Sequence, residues 1–184
     1  MMVCWRIRQF LCLSLVVVGV NAEADRCDAV PEVFATMPKN IVEIWNEDGS
    51  HSVIRVRMAV SARQRAAGFQ NVCEAEIARF PLLFVFDRDV RTRFHMQNVQ
   101  TPLNIAFFSR SGSFISGQRM GRPVIGQPGR LYGIESAYRY ALEFSSDELQ
   151  RLFGGPGNIR IILRRRVGGE WFFGIVERIS KSLR

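Results

Sequence analysis

The groups with most scope for chemistry sit together in Arg93-Phe94-His95-Met96-Gln97-Asn98, ahead of Pro102. A guanidinium, an aromatic ring, an imidazole, a thioether and two amides follow one another there. On a strand, successive side chains face opposite sides, so Phe94 and Met96 share one face and His95 and Gln97 the other. Two readings fit this pattern. Either Phe94 and Met96 wall an apolar pocket with His95, Gln97 and Asn98 at its mouth, or they are core and Asn98 shapes a turn. Arg93 and Glu143 complete the set of candidate binding residues.

Patterns for catalysis are sparse. The histidines are His51 and His95. Serine catalysis needs a histidine oriented by a carboxylate beside the nucleophile, and no Gly-x-Ser-x-Gly turn presents such a serine. A pairing of Cys73 with His95 competes with a structural role for that cysteine. His95 with Met96 and Met58 or Met120 could offer nitrogen and thioether ligands to copper, but scattered methionines usually fill core gaps. No metal and no cofactor is therefore expected. Asp87-Arg88-Asp89 lacks the glycine and distal glutamate of a calcium loop. An acid–base role for His95 with Glu143 or Asp89 stays open as an alternative.

The first segment points out of the cytoplasm. Arg6 and Arg8 precede an apolar run from Phe10 to Val20, and Ala22-Glu23-Ala24 follows with the small-residue spacing of a cleavage site. The run falls short of the roughly 20 apolar residues that a membrane span needs, so residues 1–24 read as a signal peptide and no span is expected after cleavage. The chain is basic, with a net charge of +8 at pH 7. In an exported protein that excess favours a small molecule, an anionic envelope component or a protein as partner, rather than nucleic acid. Cys27 and Cys73 remain after cleavage, and an oxidising compartment favours a bridge between them.

The elements that would position these residues are mostly strands. Residues 25–40 read as a poorly ordered lead, and residues 41–184 as one strand-rich domain. Ile41 to Trp45 and Val53 to Val60 flank Asp48-Gly49, a hairpin signal whose two turn positions both call for positive φ. Ile54, Val56, Met58 and Val60 share one face, with Arg55 and Arg57 on the other. Ser61-x-x-Gln64 forms a capping box, and Gly68 suits the left-handed end of that helix. A short helix over Glu74 to Arg79 precedes the wholly apolar Leu82 to Phe86, read as a strand buried on both faces. Arg93 to Gln97 follows as strand, then a hairpin of Leu103 to Phe108 with Ser113 to Gln118 across Ser111-Gly112.

Residues 121–133 form a long irregular loop, a common place for function. Tyr138, Tyr140, Leu142 and Phe144 line one face of a further strand. Ser145-x-x-Glu148 caps a helix, and Ile159 to Arg166 pairs with Glu170 to Ile179 across Gly168-Gly169. The expected class is α+β, with a mostly antiparallel, barrel-like or strongly bent sheet and a few short helices.

On these residues the stretch Val56 to Phe144 resembles the bacterial and archaeal family called domain of unknown function 192. Phe94-His95-Met96-Gln97-Asn98-Val99 and Pro102-Leu103-Asn104-Ile105-Ala106-Phe107 are similar to its Phe-Trp-Met-Lys-Asn-Thr, Pro-Leu-Asp-Ile, Phe signature. Ala67-Gly68-Phe69, Leu82 to Phe86 and Tyr140 to Glu143 carry the rest. Gln97, Val99 and Asn104 replace the family's lysine, threonine and aspartate. The resemblance implies fold and export, and no activity comes with it. The leading expectation is a non-enzymatic periplasmic binding or accessory module. The alternatives are an envelope-associated enzyme acting on a polymer or small anionic molecule, and a basic module of the membrane surface.

Overall fold

The computed structural model describes residues 30–122, 129–145, 147, 153 and 159–163. The expected leader, Cys27, nearly all of the helix after Ser145, Arg164 to Arg166 and the hairpin across Gly168-Gly169 lie outside the described residues. Among the described residues, no helix is long and apolar enough to cross a membrane.

The described chain runs α1 (Glu32–Ala35), β1 (Lys39–Trp45), β2 (His51–Ala59), α2 (Ala62–Ala67), α3 (Glu74–Arg79), β3 (Leu82–Val90), β4 (Phe94–His95), β5 (Leu103–Phe108), β6 (Phe114–Met120), β7 (Leu131–Tyr132), β8 (Tyr138–Phe144) and β9 (Arg160–Leu163). Seven strands form one mixed sheet in the order β6-β5-β8-β3-β2-β1-β9, and β4 pairs with β7 apart from it. Every pairing is antiparallel except β2 with β3. That parallel step needs a crossover, and α2 and α3 supply it. The sheet is strongly bent but is not a closed barrel. Its edges meet at one bridge, Ser113 with Arg160, where Ile161 N–H donates to Gly112 O at 2.8 Å and Phe114 N–H to Ile159 O at 2.7 Å. Gly112 is required at that meeting point. It has φ +79°, and a Cβ there would lie 2.2 Å from Ile161 O.

Two apolar clusters sit on the two faces of the sheet. Inside the bend, Val42, Val56, Leu83, Phe108, Leu142 and Leu163 pack together, with contributions from both edge strands. On the other face, Leu82, Phe84, Ile105, Phe107 and Ala141 are covered by Phe34, Phe69, Ile77, Phe94 and Met96 from the helices and the β4 segment. This places β3, β5 and β8 between two cores, as the apolar run Leu82 to Phe86 predicts.

Several expectations change in detail. Residues 30–40 are not a poorly ordered lead: they hold α1 and the start of β1, with Phe34 and Met37 buried. Amphipathic packing against the sheet orders a segment whose polar composition had suggested otherwise. At the first hairpin only Gly49 has positive φ. Asn46 N–H donates to Ser50 O at 2.9 Å, and the Asp48 carboxylate accepts from Ser50 N–H at 2.8 Å, which holds Asp48 out of the left-handed region. Gly68 ends α2 with φ 51° but ψ −134°, away from the left-handed helix. The strand at Arg93 to Gln97 shrinks to Phe94–His95, and Leu131–Tyr132 of the supposed irregular loop is its partner. Tyr138 packs with Phe86 and Phe107 in the helix-covered cluster, whereas Tyr140, Leu142 and Phe144 face the inside of the bend. The ladder of β3 with β8 is irregular between Val85 and Val90, so the alternation of β8 does not extend to its first residue.

A cleft with a buried carboxyl

A row of paired residues crosses the sheet on its helix-covered side. Arg57 on β2 pairs with Leu82 on β3, Leu82 with Glu143 on β8, and Glu143 with Ile105 on β5. One strand therefore separates Arg57 from Glu143, about 10 Å between Cα atoms at the usual interstrand spacing. They cannot pair directly, and each depends on what covers the sheet above it.

Above Arg57 the cover is polar where it needs to be. Its Nη1 donates to the carbonyls of Phe34, Ala35 and Met37 at 3.2–3.4 Å. Its Nη2 lies 3.5 Å from the Glu76 carboxylate, and the guanidinium stacks over Phe34 and Phe80. Its Nε is buried without a hydrogen-bond partner among the described residues.

Above Glu143 there is a cleft of about 600 Å³. It lies between α2 with its Gly68-Phe69 turn on one side and the segment from Thr92 to Val99 on the other, with Phe84 and Phe86 of β3 beneath. Glu143 is 4% exposed. Among the described residues its carboxyl has no hydrogen bond or ion pair, and burial alone pushes its pKa up to about 8. At neutral pH it is mostly a neutral acid, able to donate or accept one hydrogen bond to a group in the cleft.

The rest of the lining is apolar below and basic at the rim. Phe84 and Phe94 meet edge to face with centroids 5.0 Å apart. Arg65 reaches from α2, where the capping box of Ser61 and Gln64 fixes the first turn. Its Nη1 donates to the carbonyls of Val60 at 2.6 Å and Val85 at 3.0 Å, and it lies over Phe86. Arg88 and Arg93 are exposed at the edge, and Arg93 is 3.5 Å from Glu135. His95 is exposed too, and its Nδ1 accepts from Gln97 N–H at 3.3 Å.

Of the residues singled out in the sequence, Arg93, Phe94, His95 and Glu143 line this cleft together, and Met96, Gln97 and Asn98 do not. Met96 is buried in the core. Gln97 and Asn98 form an exposed turn closed by Val99 N–H to Met96 O at 3.2 Å. Asn98 takes φ 57°, a conformation asparagine tolerates, and its carbonyl accepts from Asn71 N–H at 2.8 Å. The segment is thus both things the sequence left open: wall at Phe94 and His95, core and turn at Met96 and Asn98. Arg65, Phe69, Phe86 and Arg88 also line the cleft and were not singled out. Phe86 carried a signal, since it shares the face of Phe84 on an alternating strand, whereas nothing local marks Arg65.

Among the described residues, no three of His, Cys, Asp and Glu converge to hold a metal ion. Met58 belongs to the cluster inside the bend, and Met96 and Met120 to the other, so the methionines do not converge on His95. Asp89 is held by Arg139 at 2.8 Å and is not part of the lining.

A family model, DUF192, described as an uncharacterized ACR, matches residues 43–158. A solved structure from Sinorhizobium meliloti 1021, described as a putative transcription regulator, is similar in fold. It is 20% identical, with a TM-score of 0.60 over 69% of this chain and 95% of its own. A protein of unknown function from Novosphingobium aromaticivorans DSM 12444 is 17% identical, with a TM-score of 0.53 over 66% of this chain and 83% of its own. At these identities the likeness is one of fold. No curated protein is significantly similar to the chain.

Proposed function

From the premise that this chain belongs to the DUF192 family, we propose that it is an exported, non-enzymatic module that binds a small molecule in the cleft above Glu143. The observation that carries the reading is the buried carboxyl with no partner of its own. The carboxyl borders the cleft and no protein group among the described residues satisfies it, so a ligand that supplies a hydrogen-bond partner there stabilises the fold on binding. An apolar cleft with a few converging polar groups is the ordinary form of a small-molecule site. Export rests on the basic, apolar leader and its Ala22-Glu23-Ala24 site. It is supported by Cys73 being disulfide-bonded, with Cys27 as the proposed partner.

A ligand-induced thermal shift across a library of metabolites and envelope fragments tests the site. Ligands that raise the melting temperature of the wild type should do so far less for Glu143→Gln and unchanged for Gln97→Ala, which lies outside the cleft. Ligands indifferent to both changes would remove the cleft from the function. Fractionation of cells with N-terminal sequencing of the product tests export, and a cytosolic chain that retains residues 1–24 would overturn it.

One observation favours a second reading. His95 and Glu143 line the same cleft, and a carboxyl with a pKa of about 8 suits a general acid near neutral pH. A hydrolase screen at several pH values, repeated with His95→Ala, distinguishes turnover from binding.

A further inference from the structure

We propose that the group received at Glu143 is an organic cation, an alkyl- or arylammonium centre held between the carboxyl and the phenylalanine rings of the cleft. This rests on the binding reading above and narrows its ligand class.

Glu143 is flanked along the sheet by Leu82 and Ile105, so neither neighbouring strand offers a hydrogen bond or a charge at that level. The cations that line the cleft are engaged elsewhere or stand at its edge. Arg65 is held by two backbone carbonyls, Arg93 faces Glu135, and Arg88 is exposed. The acids are Glu143 itself and Asp87, whose side chain is 88% exposed and 3.8 Å from Arg65. His95 is exposed at the mouth. The deep part of the cleft therefore holds one ionisable group, and it is an acid without a counter-ion.

The walls suit the complementary charge. Phe84 and Phe94 pack edge to face and both border the cleft, and Phe69 adds a third ring to the lining. Aromatic faces attract ammonium groups, most strongly where water is excluded, and such cages are the usual receptors for quaternary ammonium ligands. A deep anion, by contrast, would face the aromatic walls, with Arg65 held through Nη1 by two carbonyls and Arg88 and Arg93 exposed at the edge.

Proton balance makes the idea measurable. A cation pairs with the ionised carboxylate, so binding below the pKa expels one proton from Glu143. The group shares the cleft with Arg65 from α2, Asp87 and Arg88 from β3, and Arg93 and His95 from the β4 segment. The probe is benzyltrimethylammonium, whose charge is independent of pH, titrated calorimetrically into the full mature chain. Its affinity should rise about tenfold per pH unit from pH 6 and level off above about pH 8. Glu143→Gln should abolish binding at every pH while the circular dichroism spectrum is kept, and His95→Gln should leave the profile in place.

Phenylacetate separates the two levels of the argument. If it binds in a Glu143-dependent way and benzyltrimethylammonium does not, the cation assignment is overturned and the binding function stands. If neither probe binds, the assignment is likewise overturned, and the thermal-shift library decides the function alone. Cation binding that persists in Glu143→Gln, or a pH profile that moves with His95→Gln, also overturns it.

Discussion

Arg57 and Glu143 lie in one row of one sheet, on the same face, 7% and 4% exposed, and the fold treats them oppositely. The cover above Arg57, made by α1 and α3, brings three carbonyls, a carboxylate and two aromatic rings to the guanidinium. The cover above Glu143 brings no polar partner and leaves a cleft. Burial of charge is thus not a property of the sheet position but of the segment that closes over it. A buried ion with a full set of partners reads as architecture, since it ties α1 and α3 to β2. A buried acid without them reads as a site, because folding alone gives no return for the desolvation.

That contrast can be broken in four ways. Arg57→Ala removes the donor from the carbonyls of Phe34, Ala35 and Met37 and one of the two arginines beside Glu76, and should destabilise the protein by about 3 kcal/mol, read from the urea midpoint. Glu143→Leu should have the opposite sign, stabilising by about 1–3 kcal/mol as an unpaired polar group is replaced by an apolar one, while abolishing ligand binding. A loss of stability in that variant would mean that Glu143 has a structural partner after all.

The third test uses pH. The folded pKa of Glu143, about 8, lies above its ordinary value of 4.5, so between those limits the folded state holds more protons than the unfolded one. Its contribution to stability is complete below about pH 4.5 and is lost as pH rises through about 8. Wild type should therefore lose stability relative to Glu143→Gln by up to about 1.4 kcal/mol per pH unit across that window. Parallel curves for the two proteins would refute the unpaired, buried carboxyl. Last, Arg93→Ala should change stability by less than about 1 kcal/mol, since its pair with Glu135 is exposed.

Much of the scaffold was legible because its signals are local. The capping box needs only Ser61 and Gln64, three residues apart. The helix over Glu74–Arg79 appears with the bounds that the sequence suggested, and the unbroken apolar run from Leu82 could be explained only by burial on both faces. Gly112 marked a turn, although the close approach of Ile161 that makes glycine necessary there comes from the far edge of the sheet. Less legible were features that depend on partners distant in the chain. β4 exists because Leu131–Tyr132 pairs with it, and Tyr138 changes side because the β3–β8 ladder is irregular.

The candidate site divides along the same line. Glu143 entered through the family-like stretch Tyr140 to Glu143 and as a possible acid beside His95, and the aromatic and imidazole groups of the 93–98 segment singled out Phe94 and His95. Strand alternation placed Arg55 and Arg57 on one face, but only the arrival of α1 and α3 buried Arg57 and left Arg55 exposed. The order of residues determined which side chains share a face and where turns and caps fall, because those follow from the two-residue and 3.6-residue periods of the backbone. Which face was covered, and whether a buried charge met a partner or an opening, was decided by segments 20 or more residues away, through contacts that no local period encodes.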